Sequence, residues 1–305
     1  MTQPAETGKT SAERALTGLI DAQKALGTWY GTPDAIGIQS LQRAEILGMP
    51  VGVGRGIVSG DQVTLPRALP MIDPDGLIFE GGKVVAAIVP VIPEKARGHL
   101  NIKNGFPLIF PGHKQIRAAV EAIQEIELDA GNSHFSRLAR FDLAQFNRPV
   151  LADGTHSLTV IPELLKRTRE SATYNVKITN ENGDETTNIS SLTVAYSHDH
   201  SPEVLPEDFI IEAAAQTAGI ALLSPESFDG EIVPLFGQVG PVEFGGVRLK
   251  QGDGVAYYAA GEGSKRGIDG KLVRVISNNE DVARIEGIKA VVGSKKLINR
   301  MLGIK

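Results

Sequence analysis

The chain has 305 residues, enough for two domains of ordinary size or one large one. Hydrophobic residues make up 42% and charged residues 22%, a soluble globular composition, and the net charge of −5 carries no basic excess of the kind nucleic acid requires. There is no cysteine, which excludes disulfides, thiolate nucleophiles and cysteine-based zinc sites. The opening MTQPAETGKTSAER has no apolar core of a signal peptide, and no stretch long enough to span a bilayer lacks polar interruption. These features set the expectation of a cytoplasmic protein that binds neither nucleic acid nor membrane.

Thr10-Ser11-Ala12-Glu13 has the spacing of a capping box, and Leu16, Leu19, Ile20 and Leu26 follow at helical spacing up to Gly27. Residues 28–70 are rich in Gly and Pro. Gly52, Gly54 and Gly56 lie in VGVGRG, but position 57 is Ile, so the dinucleotide fingerprint fails and a glycine-rich turn is expected. From Gly76 the pattern becomes strand, with a hairpin over residues 76–92 turning at Gly81-Gly82. A loop, GHLNIKNGFPLIFPG, leads to a helix expected from Gly112 to Ile126, with Pro111 at its start and Ile116, Ala119, Val120 and Ile123 on its buried face. Strand-like stretches follow: LARFDLAQF continuing through THSLTVIPELL, then ATYNVKI and SSLTVAY, with Asn182-Gly183 as the turn between the last two.

The same order then recurs, with a helix from Pro206 and strands FGQVGPVEF, GVAYYAAG, KLVRVIS and ARIEGIKAVVG. Pro111 lines up with Pro206, Phe146 with Phe244, Asp153-Gly154 with Asp253-Gly254 and Lys166-Arg167 with Lys265-Arg266, at offsets of 95, 98, 100 and 99 residues. Two copies are too few for a solenoid, so the pattern reads as a tandem duplication of one helix against an antiparallel sheet. The divisions expected are an extension over 1–70, a first unit over 71–197 and a second over 198–305. Only the first unit has its own opening hairpin; residues 35–70 are one source for the missing strands, and a short second sheet is the other.

The second helix, PEDFIIEAAAQTAGIALL, is apolar nearly all round, which marks it as buried. Glu212 and Gln216 are its only carboxyl- or amide-bearing positions after the first turn and share one face. A buried acid is either a satisfied core group or a candidate proton donor, and the helix alone leaves both open.

Glu212 lies six residues and Gln216 ten after Pro206, while His198 lies eight before it. With HDHSPEVLPEDFIIEAAAQTAG and RFDLAQFNRPVLADGTHSLTVIPELLKR, this spacing resembles the hotdog-fold 3-hydroxyacyl-carrier-protein dehydratases over about residues 75–295. The resemblance implies an α+β double hotdog, two units each with a central helix packed on an antiparallel sheet, and a site assembled across units. At the position of Glu212 the first unit has Arg117, and at that of Gln216 it has Glu121; the two can neutralise each other one turn apart. One composite site, His198 facing Arg117, therefore lacks its acid. The other joins Glu212 and Gln216 to His99, which lies twelve residues before Pro111 where the family has eight, and to Gly112 beside Phe110 and Pro111, with Pro206 at the second helix start. His198 with Glu212 is the competing pair. His198 and His200 form an H-x-H pair without a clear third ligand beyond Asp199, so no metal is expected. His113, His134 and His156 sit at polar positions and are assigned no role.

By the resemblance, the histidine would remove the C2 proton of a 3-hydroxyacyl thioester, as in fatty acid or polyketide biosynthesis. Glu212 would protonate the departing hydroxyl, the Gly112 amide would steady the thioester oxygen, and no cofactor would be needed. Acyl-carrier protein or coenzyme A would carry the substrate. Lys295, Lys296, Arg300 and Lys305 read either as a carrier-facing patch or as a solvated tail helix, and a homodimer is an open alternative. A hotdog thioesterase using Glu212 and a non-catalytic acyl-binding protein are the competing functions.

Overall fold

The first helix, α1 (Ser11–Asp21), opens with the reciprocal bonds its sequence encodes. Thr10 Oγ1 accepts from the Glu13 amide at 3.2 Å, and Glu13 Oε2 accepts from the Thr10 amide at 2.7 Å. The computed structural model describes residues 10–21, 27–28, 39–60, 70–96, 108–197, 204–223, 232–264 and 266–302. The expected continuation of α1 to Leu26 lies outside the described residues, as do His99, His198, His200 and Lys305.

After β1 (Gly27–Thr28) the chain forms a hairpin of β2 (Ser40–Ile46) and β3 (Met49–Ile57), then a second of β4 (Leu77–Glu80) and β5 (Lys83–Val91). Helix α2 (Gly112–Asp129) follows, then β6 (Phe135–Phe141), β7 (Leu143–Phe146), β8 (His156–Arg167), β9 (Ser171–Asn180) and β10 (Glu185–Ser197). The second half repeats the order with α3 (Glu207–Leu222), β11 (Ile232–Val239), β12 (Val242–Phe244), β13 (Gly254–Ser264), β14 (Gly267–Ser277), β15 (Glu280–Ile285) and β16 (Ile288–Ser294). A short C-terminal helix, α4 (Lys295–Met301), is capped by Ser294 Oγ, which accepts from the Leu297 amide.

All described strands join one antiparallel sheet. In its first half β4, β5, β8, β9 and β10 pair in that order, with β6 and β7 both on β10. In its second half β2, β3, β13 and β14 pair in that order, β14 continues to β15 and β16, and these carry β12 and β11. The halves meet at a reciprocal seam, β12 on β6 through Val242↔Phe141 and β11 on β7 through Val239↔Ala144. Small matches repeat as well: Ile109 bridges Leu151 as Val204 bridges Lys250. So the hairpin β2–β3, which falls within residues 35–70, joins the second half of the sheet by pairing β3 with β13.

The VGVGRG run is therefore strand, where a turn was expected. Gly52 has a packing reason, because α3 rests on β3: a Cβ there would come 2.2 Å from Ala221 Cβ. Helix α3 is buried along its length, which removes its apolar surface from water on every side. Helix α2 buries Ile116, Ala119 and Ile123 as its spacing predicts, and it runs three residues beyond Ile126. Its last turn is tied down by Glu127, whose carboxylate accepts from Tyr174, from Tyr196 at 2.8 Å and from Arg167 at 2.9 Å. Three donors hold that carboxylate low in pKa despite its burial, which makes it a structural anchor. Among the described residues no helix is long and apolar enough to cross a membrane.

Candidate active site

Pro111 caps α2 with φ −68° and ψ 147°, and Pro206 caps α3 with φ −62° and ψ 144°. The two helices pack against each other beneath the sheet, so the first turn of one meets the second turn of the other. There Nδ1 of His113 lies 2.9 Å from Oε2 of Glu212, and Nε2 of Gln216 donates to Oε1 of the same carboxyl at 2.7 Å. His113, Glu212 and Gln216 are 3%, 4% and 3% exposed. Glu212 thus has one partner from its own helix and one from the other unit.

Sequence reasoning assigned His113 no role because GHKQ reads as a polar, solvated first turn. That expectation is corrected here: His113, Lys114 and Gln115 are all buried, since α3 covers that turn. Burial pulls the His113 imidazole below its ordinary value, a loss of solvation that outweighs the attraction of Glu212, so the neutral ring is favoured. Phe209 holds this arrangement from the side. Its ring meets the imidazole edge-on at 5.8 Å between centroids and carries the Lys114 ammonium 4.3 Å from its centre. Lys114 is lowered by burial and supported by the charge of Asp208.

The pair opens on a cavity of about 120 Å³, enclosed by α2, α3 and the seam strands. Phe110, Pro111 and Gly112 line it, with Ile116, Phe146 and Ile211 as apolar wall. Gly112 has no room for a side chain, since a Cβ would come 2.7 Å from the Phe146 ring; the helix start is held tight against that aromatic. Val291 and the exposed Met301 stand at the rim, which brings α4 to the mouth. Helix α4 is anchored by buried Ile298 against Ile109, while Lys296 and Arg300 face solvent.

The remaining predicted residues fall as follows. Pro206 starts α3 and does not line the cavity. Arg117 Nε bonds Glu121 Oε1 at 2.8 Å, the mutual neutralisation expected, and Glu121 Oε2 accepts from the amides of Met71 and Ile72. The positions reciprocal to His113 and Glu212 thus carry Asp208 and Arg117. Among the described residues no group of three or more His, Asp or Glu is placed to hold a metal ion. One signal could have found His113. It lies two residues after Pro111, and Glu212 six after Pro206, positions that meet when two equivalent helices pack about a twofold axis.

No family model matches the sequence, and no curated protein matches it significantly. Solved structures do match. The putative oleoyl thioesterase of Lactobacillus plantarum superposes with a TM-score of 0.50 at 9% identity, over 69% of this chain and 97% of that one. An acyl-ACP thioesterase of Bacteroides thetaiotaomicron gives 0.44 at 9% identity, over 80% and 98%. The bifunctional dehydratase-cyclase domain in ambruticin biosynthesis gives 0.43 at 12% identity, over 86% and 97%. The first of these likenesses shows the fold, an antiparallel sheet wrapped on central helices, and the chain is in that sense a hotdog-fold protein.

Proposed function

We propose that this chain is a double hotdog that acts on an acyl thioester, with His113 and Glu212 as its acid–base pair, and that its reaction is dehydration of a 3-hydroxyacyl group. The observation that carries the reading is the 2.9 Å contact of imidazole and carboxyl across the two helices, in an apolar cavity. His113 takes the part that the sequence pattern offered to His99 or His198.

Burial favours a neutral pair, a protonated carboxyl beside a neutral imidazole, over separated charges. The acyl thioester lies along the cavity with C2 and C3 across the pair. The imidazole takes the C2 proton, the electrons form the C2–C3 double bond, and Glu212 protonates the departing hydroxyl, which leaves as water. The proton gained by His113 then returns to Glu212 across their contact, which restores the starting state. Gln216 holds the carboxyl in register, and the Gly112 amide at the start of α2 faces the thioester oxygen, where negative charge develops. Phe110 and Pro111 line the acyl path. The substrate arrives on a carrier, coenzyme A or acyl-carrier protein, with Lys296 and Arg300, exposed on α4, suited to an acidic one. No cofactor enters the scheme.

The test is a 3-hydroxyacyl pantetheine thioester, with 2-enoyl product and free thiol measured separately. The expected result is enoyl product from wild type, with kcat down about 10²- to 10⁴-fold in both Glu212→Gln and His113→Ala. Thiol release without enoyl product would transfer the same pair to hydrolysis, a reading favoured by the fold shared with a protein described as a putative thioesterase. A wild type inert in both assays would rule out the enzyme reading and leave acyl binding.

A further inference from the structure

Besides His113 and Glu212 the cavity is lined by the polar side chains of Gln115, Asn147 and Arg148; the last two are exposed, and Gln115 alone of the three is buried. It is 2% exposed, on the face of α2 that also presents Gly112, one turn earlier. A carboxamide in an apolar wall is costly unless both its ends are used. Its oxygen is used. Thr187 on β10, itself fully buried, donates from Oγ1 to Gln115 Oε1 at 2.6 Å. That bond fixes the rotation of the amide with its oxygen turned to the sheet, which leaves the NH2 group as the end that can serve a ligand in the cavity Gln115 lines. Glu212 already receives its amide donor from Gln216, so Gln115 is not needed to hold the acid.

We infer that Gln115 is a second donor to the substrate's thioester oxygen, acting with the Gly112 amide and aimed by Thr187. The inference rests on the thioester reading above but not on the choice between its two reactions. Removing the C2 proton sends charge to the thioester oxygen as an enolate, and attack of water sends charge to the same oxygen in a tetrahedral adduct. A donor fixed before the reaction, in a site that excludes water, stabilises either species more than it stabilises the neutral ground state. The reciprocal position of the second unit is Ile210, so this donor belongs to the same one of the two potential sites as His113.

Three variants and two readouts test this. Gln115→Leu removes the donor and is expected to lower kcat about 10²- to 10³-fold with KM changed only slightly. Gln115→Glu keeps the oxygen for Thr187 but replaces the donor with an acceptor, and should lose as much. Thr187→Val leaves the donor but frees its aim, with an intermediate loss expected. In the Glu212→Gln background, a thioester labelled with ¹³C at its carbonyl should show a lowered stretching frequency on binding, and adding Gln115→Leu should move it back toward the solution value. Full activity in Gln115→Glu, or a carbonyl band indifferent to Gln115, would overturn the inference while leaving the thioester reading intact. A wild type inactive on every thioester, with an unshifted carbonyl, would sink both.

Discussion

Burying an imidazole against a carboxyl decides which protonation states each can hold. Burial lowers the His113 pKa, so the ring stays neutral to a pH below its ordinary 6.5. If that neutral ring is the base, activity is lost only when acid finally protonates it. The acid limb of the kcat/KM profile should therefore lie below 6.5, and a limb above 6.5 would mean that Glu212 governs the ring more than burial does. Glu212 and Gln216 could be read from the sequence because they interrupt an apolar helix four residues apart. His113 could be found only by comparing its offset from Pro111 with that of Glu212 from Pro206, because local composition reports what neighbours a residue in the chain, while its burial comes from a helix almost a hundred residues away. The three polar residues His113-Lys114-Gln115 look solvated until the fold covers them.

At the scale of elements, α3 sits tightly on β3. Gly52 gives the helix its approach, and the nearest atom a new Cβ would meet is another Cβ on a helix buried on all sides, which cannot swing away. Gly52→Ala should cost about 1–3 kcal/mol through overpacking, read as a fall of several degrees in the thermal midpoint. Ala221→Gly in the same chain should recover most of that loss. An unchanged melt in the single variant would show that the helix can shift at little cost. The strand identity of VGVGRG was hidden for the same reason that it packs well: with glycine at every second position it has no side-chain alternation to read. Elsewhere, periodicity located the hairpin at Gly81-Gly82, both central helices and the strands after them, since those elements each bury a recognisable face.

Across the whole molecule, His113 stands on α2 and Glu212 on α3, and the halves of the sheet beneath them are joined within one chain by the seam of β6 with β12 and β7 with β11. Activity per chain should therefore not change on dilution; a fall at low concentration would mean that a second chain completes the site. The offsets of 95 to 100 residues made the recurring order of elements legible, but they could not show that β3, on which α3 rests, is laid down ahead of the first half of the sheet. The chain lays down β2 and β3, builds all of the first unit, and only then makes β13, the strand that pairs β3. That order has a consequence during synthesis. At the rates typical of a ribosome, the roughly 200 residues between Ile57 and Gly254 take on the order of 10–40 s to emerge, and β3 spends that time without its inner neighbour. A strand of valines left waiting would seek other chains; one spaced by Gly52, Gly54 and Gly56 with Arg55 among them is poorly suited to cross-β stacking. Gly52, which seats the helix in the finished protein, is also one of the glycines that leave the waiting strand poorly suited to stacking.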